Sequence, residues 1–321
     1  MYRAGIDVGG TNTDADVMRG REVLASGKTA TTPDVTSGVL AALQMVTERA
    51  GIAPGDLGSV MIGTTHFTNA IVERRGLSRV GVLRLALPCS GDLPPLSNWP
   101  EDLIEVLRPL VCMTSGGYEF EGREISPIDR DAILAFARDC AREGIGHLAV
   151  SGVFSPMNPA QEKDAAALLR SAMPDAHITL SSDLGNVGLL ERENASILNA
   201  ALVELSRKVG AAFRNALRAA GVSAPFFLTQ NDGTLVSADR MADFPILTVS
   251  SGPTNSMRGA AFLSGTPDAI VVDIGGTTSD APAINERGEV VGTSLSAAGT
   301  PRAVVGRGGT LIDLNTALAP N

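Results

Sequence analysis

The segment Asp7-Val8-Gly9-Gly10-Thr11-Asn12-Thr13-Asp14 returns late in the chain as Asp273-Ile274-Gly275-Gly276-Thr277-Thr278-Ser279-Asp280, each time directly behind a short apolar run. In each copy an apolar strand (Ala4 to Val8, Ala269 to Ile274) ends in an acid and then two glycines. Adjacent glycines permit positive φ and let backbone N–H groups approach an anion with no Cβ in the way. Hydroxyl donors follow at Thr11 and Thr13, or at Thr277 and Ser279. The likeness continues: Ala15 to Met18 and Ala281 to Ile284 read as second strands, Arg19-Gly20 and Asn285 to Gly288 as turns, and Glu22 to Leu24 and Glu289 to Val291 as third strands. The repeat is therefore a three-stranded meander built around a glycine hairpin. Two matched copies are expected to form half-sites that close on one polyphosphate from opposite sides.

Other phosphate loops do not fit. The chain has no G-x-x-x-x-G-K-[ST], and neither hairpin has the G-x-G-x-x-G spacing or passes from strand straight into helix. The carboxylates Asp7 and Asp273 are the candidate Mg²⁺ ligands, since this cation keeps several waters and needs only one or two carboxylates.

Between the hairpins, strand and helix patterns alternate, which predicts an α/β fold. Helices are expected at Thr36 to Ala50, Thr68 to Arg75, Asp129 to Glu143, Pro159 to Met173 and Glu193 to Ala220. Strands are expected at Ser59 to Ile62, Val80 to Leu85, Leu148 to Val153, Ile178 to Leu180 and Pro225 to Leu228. Pro88 to Gly122, rich in Pro, Gly and Ser, reads as an irregular insertion, and Ser250 to Pro253 as a Gly-Pro loop. A domain boundary before the long helix divides the chain into 1–185 and 186–321. After Val291 the remaining residues carry little patterned apolar content. The second half thus reads as truncated, or as a sheet edge that another chain covers.

A net charge of −9 with no basic stripe argues against nucleic acid and anionic membrane as partners. The start lacks a signal-peptide profile and no apolar stretch reaches spanning length, so a cytoplasmic address is expected. Cys89, Cys112 and Cys140 are odd in number and lack C-x-x-C spacing, which favours plain thiols. His147 and His177 each open an expected strand and read as structural.

Two D-x-G-G-T-x-[ST]-D hairpins around an α/β body resemble the actin, sugar-kinase and Hsp70 ATPase superfamily. More narrowly, Gly5 to Asp14, Gly63-Thr64-Thr65 with Thr68-Asn69-Ala70, Glu73 to Gly76, Leu228 to Leu235, Ser251-Gly252-Pro253 and Asp273 to Asp280 resemble the hydantoinase A and 5-oxoprolinase family. The resemblance implies an actin-like ATPase fold of two ribonuclease-H-like halves and an ATP-dependent opening of cyclic amides by phosphoryl activation of the ring carbonyl. It further implies ATP and Mg²⁺ as cofactors and a B-type hydantoinase subunit as partner. Carried over, Asp7, Gly9, Gly10, Thr11, Asn12 and Thr13 would hold phosphate and metal from one side, and Asp273, Gly275, Gly276, Thr277, Thr278 and Asp280 from the other. Thr64 and Thr65 would meet the substrate, with Asn231 and Asp232 facing them. His66 stands where larger oxoprolinases carry an apolar residue, and an isolated His near a turn reads as structural. The same hairpins also serve small-molecule kinases and non-catalytic nucleotide-binding relatives, which are the alternative readings.

Overall fold

The computed structural model describes residues 1–32, 35–264, 271, 273–274, 279–280, 290–295, 301–307 and 310–313. Gly275, Gly276, Thr277 and Thr278 of the second hairpin, and the expected strand Ala281 to Ile284, lie outside the described residues. In chain order the elements are β1 (Tyr2–Val8), β2 (Asn12–Arg19), β3 (Glu22–Ala30), α1 (Val35–Ala50), β4 (Leu57–Thr64), α2 (His66–Val72) and β5 (Val80–Leu87). There follow α3 (Glu101–Leu107), β6 (Leu110–Ser115), α4 (Arg130–Arg142), β7 (His147–Gly152), α5 (Ala160–Ala172), β8 (His177–Leu180) and α6 (Leu189–Ala219). Then come β9 (Phe226–Thr229), β10 (Leu235–Ser237), α7 (Ala238–Asp243) and α8 (Ser251–Ser264). The short strands are β11 (Asp273–Ile274), β12 (Ser279–Asp280), β13 (Val290–Leu295), β14 (Pro301–Arg307) and β15 (Thr310–Asp313).

Two compact units result. The first takes Met1–His66, Ala211–Ala238 and the described part of Thr248–Asn321, and the second takes Phe67–Gly210 and Asp239–Leu247. In the first unit a 6-stranded sheet has the order β10-β9-β4-β1-β2-β3. The meander β1-β2-β3 is antiparallel, whereas β4 runs parallel to β1 and β9 parallel to β4. Alternation in β1 and β2 buries Ala4, Ile6, Val8, Ala15 and Val17 on one face. The stripe Val39, Ala42, Leu43 and Val46 of α1 is buried as well, as a helix seated on that face requires.

In the second unit the 4-stranded sheet β6-β5-β7-β8 is parallel throughout. Parallel sheets are covered on both faces, so their strands read as continuous apolar runs. One face packs Leu83, Leu85, Leu148 and Val150 against α4 and α5 through Ile133, Phe136, Ala165 and Leu169. The other packs Val80, Val82 and Ala149 against Leu103, Leu107, Ile197 and Ala200. The fold is mixed α/β with parallel strands, as the alternation of patterns predicts. Pro88 to Gly122 departs from expectation: it contains α3 and β6. Its composition hides a 7-residue helix whose Leu103 and Leu107 face the core.

Cys140 is fully buried in the α4 side of this core, and burial pushes its thiol up to about 12. Cys89 is exposed. Alkylation of the native chain at mildly alkaline pH is expected to label Cys89 and to spare Cys140 until denaturant is added. Equal labelling of both by peptide mass mapping would contradict this packing.

Candidate functional site

The C-terminal ends of β1, β4 and β9 lie along one edge of the first sheet, since the register pairs Asp7 with Gly63, Val8 with Thr64, and Ile62 with Leu228. The crevice outside the carboxyl ends of parallel strands is where α/β sheets bind ligands. Antiparallel pairing sets Asp14 opposite Asp7, and Lys28 of β3 opposite Asp14. Partners paired this way share a face. A row Lys28, Asp14, Asp7, Gly63 therefore crosses four strands on the face away from Ala4, Ile6 and Val8. The Lys28 Nζ lies 3.2 Å from Asp14 Oδ1.

Gly63 makes room for the acid beside it. A Cβ built there would stand 2.7 Å from Asp7 Oδ1 and 3.3 Å from Asn255 Nδ2, and side chains do not tolerate the first separation. Asp7 itself is exposed. An exposed carboxylate over a glycine, with Asp14 alongside, is an all-oxygen donor set of the kind a hydrated Mg²⁺ accepts. Among the described residues no cluster of three or more His, Cys, Asp or Glu forms a metal cage. Gly63→Ala is expected to displace the Asp7 carboxylate and, if that carboxylate holds Mg²⁺·nucleotide as proposed below, to weaken this binding about tenfold or more. Calorimetry that finds unchanged affinity would remove this role for Gly63.

The first hairpin loop is tied down from behind. Gly9 N–H donates to the Asn12 carbonyl at 3.0 Å, and Thr31 N–H to the Thr11 carbonyl at 2.9 Å. The Thr31 hydroxyl donates to the Gly9 carbonyl at 2.8 Å and lies 3.2 Å from the Thr13 hydroxyl. Thr13 is 1% exposed, so its hydroxyl braces the loop from inside, while Gly10 and Thr11 form the exposed outer rim. Thr31 was not among the expected site residues. Its signal, a threonine just past the third meander strand, has no pattern of its own.

At the end of β4, Thr64 is 5% exposed and its Oγ1 lies 2.6 Å from His66 Nδ1. The His66 N–H donates to the same oxygen at 3.2 Å, a local turn that starts α2. Burial lowers the His66 pKa, which keeps the ring neutral at physiological pH. Thr65 N–H donates to the Val8 carbonyl at 3.3 Å and joins the ends of β4 and β1.

Asn231 and Asp232 lie on the exposed turn between β9 and β10. The Asp232 carboxylate accepts from Thr234 N–H at 2.8 Å and from the Thr234 hydroxyl at 2.7 Å, and these bonds hold its pKa below the usual carboxylate range. The turn docks on α8, where the Thr254 hydroxyl donates to the Asn231 carbonyl at 2.8 Å. Gly233 has φ +80°, and a Cβ there would meet Arg258 Cδ at 2.6 Å. Sequence reading also missed Thr229 and Asn255, linked by a 2.8 Å hydrogen bond from Asn255 Nδ2 to Thr229 Oγ1. The segment expected as a Gly-Pro loop is in large part the first turn of α8, entered through Ser250 at φ +60°.

The second hairpin repeats the first in register. Asp273 pairs with Asp280 and Ile274 with Ser279, as Asp7 pairs with Asp14 and Val8 with Thr13.

Comparison with known proteins shows which family the chain belongs to. The chain is 26% identical over 300 residues to the caprolactamase subunit alpha of Pseudomonas jessenii and 27% identical over 315 residues to the acetophenone carboxylase gamma subunit of Aromatoleum aromaticum. It spans 43% and 42% of the length of these relatives. Among solved structures it matches ATP-dependent caprolactamase from Pseudomonas jessenii with a TM-score of 0.70 at 25% identity, covering 87% of this chain and 43% of that one. It matches nucleotide-free acetone carboxylase with a TM-score of 0.72 at 22% identity, covering 95% of this chain and 47% of that one, a likeness of fold. The hydantoinase/oxoprolinase N-terminal region matches residues 3–173 and the hydantoinase/oxoprolinase region matches residues 192–313, so the chain belongs to the hydantoinase/oxoprolinase family.

Proposed function

We propose that this chain is the nucleotide-using subunit of an ATP-driven enzyme that opens a cyclic amide of the hydantoin or 5-oxoproline type, working with a B-type partner. The observation that carries the proposal is the Asp7 carboxylate seated over Gly63 beside the braced Gly9–Asn12 turn. A lactam carbonyl is a poor electrophile. Transfer of the γ-phosphoryl group to its oxygen forms an O–P bond as the bond to the ADP oxygen breaks, and ADP leaves with the electron pair. Water then adds to the activated carbon and the ring C–N bond breaks with the nitrogen taking up a proton, which leaves an acyl phosphate, and a second water displaces phosphate from it as the carboxylate forms. Phosphoryl transfer asks mainly for positioning and charge neutralisation.

In this reading the rim Gly10 and Thr11 meets the phosphates, Thr13 and Thr31 keep that rim in place, and Asp7 holds Mg²⁺ together with Asp273 of the second hairpin. Bound there, Mg²⁺ would neutralise the phosphate oxygens. Gly275, Gly276, Thr277, Thr278 and Asp280 are proposed to complete the clamp. Thr64 and Thr65, with Asn231 and Asp232, are proposed to line the substrate side. The word subunit in the names of both curated relatives supports the partner. The gap between the matched regions, 3–173 and 192–313, supports a functional division at 185/186. Among the described residues no helix is long and apolar enough to cross a membrane, which is compatible with the proposed cytoplasmic address.

A second reading is ATP-driven carboxylation of a ketone, favoured by the nearly equal identity to a carboxylase subunit. The shared step is phosphoryl transfer to a carbonyl or enolate oxygen. The test incubates the chain and its partner with Mg·ATP. ADP formed in step with the opening of a lactam, hydantoin or 5-oxoproline supports the first reading, and ADP formed only with a ketone and bicarbonate supports the second. ADP formed with neither overturns both.

A further inference from the structure

We infer that Asn255 is a positioning residue for Asp7, fixing the carboxylate that takes the metal; this rests on the nucleotide-site reading above. The Asn255 side chain is anchored at its nitrogen. Nδ2 donates to Thr229 Oγ1 at 2.8 Å, and Thr229 Oγ1 donates onward to Ser251 Oγ at 3.5 Å. The relay has a direction, because the Thr229 hydroxyl spends its single proton on Ser251 and must accept from the amide. Ser251 is 2% exposed and opens the 14-residue helix α8, so the relay ties the end of β9 to a rigid element.

The same nitrogen and the acid border one point beside Gly63. Nδ2 stands 3.3 Å from the point a Gly63 Cβ would occupy, and Asp7 Oδ1 stands 2.7 Å from that point. A primary amide carries two N–H groups. One is committed to Thr229, and in this inference the other serves the Asp7 carboxylate across Gly63, directly or through a bridging water. A donor fixed on one oxygen turns the other toward the ligand. Partners of this kind orient metal-binding groups, and their loss typically costs about 10–100-fold in metal affinity. Neither Thr229 nor Asn255 touches the phosphate in this account; both act through Asp7.

Calorimetric titration of the full chain with AMP-PNP, with and without Mg²⁺, tests the inference. Asn255→Ala is expected to raise the Kd for Mg·AMP-PNP about 10–100-fold and to leave the metal-free Kd unchanged. Thr229→Val should shift the Mg²⁺-dependent Kd in the same direction, while Thr229→Ser, which keeps the hydroxyl, should bind like wild type and also serves as a control for folding. If the two side chains form one relay, the double variant should bind no more than about twofold more weakly than Asn255→Ala alone. Wild-type affinity in Asn255→Ala, an equal loss with and without Mg²⁺, or additive losses in the double variant would each overturn the inference while leaving the nucleotide site standing. Failure of the wild-type chain to bind Mg·AMP-PNP would overturn the site and the inference together.

Discussion

Asp7→Asn is expected to abolish Mg²⁺-dependent nucleotide turnover while leaving the chain folded and no less stable. The substitution keeps the shape of the side chain over Gly63 and removes its charge, and losing a group that stabilises charge on a transferring phosphoryl typically costs about 10²–10³ in rate. The stability prediction follows from the sheet. Asp7 stands directly opposite Asp14, and like charges so placed destabilise an antiparallel pair by roughly 0.2–1 kcal/mol. Lys28 offsets the Asp14 charge, with which it forms an ion pair. Neutralising Asp7 should therefore leave the melting temperature unchanged or raise it slightly. A residue whose removal costs activity and gives back stability is there for its chemistry. Wild-type turnover in Asp7→Asn would contradict the site, and a large fall in melting temperature would make the acid structural. Asp273→Asn is expected to cause a comparable loss of turnover, since its register repeats that of Asp7.

The largest effect on stability is expected in the second unit. Arg84 is 0% exposed in the middle of β5, where its Nε donates to Glu193 Oε2 at 2.7 Å and its Nη2 bonds Glu193 Oε1. The Ser151 hydroxyl donates to the same carboxylate at 2.7 Å. Beside this pair, Arg192 donates to Ser155 Oγ at 2.8 Å and to the Gly152 carbonyl at 3.0 Å. Glu162 accepts from the Ser155 and Ser181 hydroxyls at 2.6 Å and from Ser182 N–H at 3.0 Å. Consecutive residues of α6 thus enter two neighbouring buried networks at the carboxyl ends of the parallel strands. Removing one partner of a buried pair strands the other charge, which costs about 3–5 kcal/mol, whereas replacing both by apolar residues is often close to neutral. Glu193→Leu should destabilise the chain by about that amount in urea unfolding, and Arg84→Met with Glu193→Leu should recover most of it. A Glu193→Leu variant within about 1 kcal/mol of wild type would show that the pair is not desolvated as described.

The legible parts of the fold were those with local signatures. The meander, α1 and the parallel strands of the second unit follow from apolar period and turn residues, and Asp7 with the glycine pair follows from a composition whose chemistry is local. The illegible parts depend on partners distant in sequence. Arg84 sits in an otherwise apolar strand, and nothing near it announces that Glu193 will neutralise it. Asn255 reads as one polar residue in the short helix after the Gly-Pro segment until the fold brings it beside Thr229 and Gly63. Thr13 was expected on the phosphate, and only the fold of the third strand shows its hydroxyl turned toward Thr31. Thr64 was expected to meet substrate, and its hydroxyl lies against His66. In each case the residue type signals chemistry, and the tertiary neighbours decide which atom is left to perform it.

The central claim is that a nucleoside triphosphate seats its phosphates against the first hairpin at the edge formed by β1, β4 and β9. Mapping backbone amide chemical shifts while titrating Mg·AMP-PNP tests it most directly. The account predicts the largest changes at Gly9 to Asn12 and Gly63 to Thr65, lost in Asp7→Asn. Saturable binding whose shifts fall elsewhere, for instance around Arg214, Arg218 and Gly221 at the opposite end of β9, would contradict it.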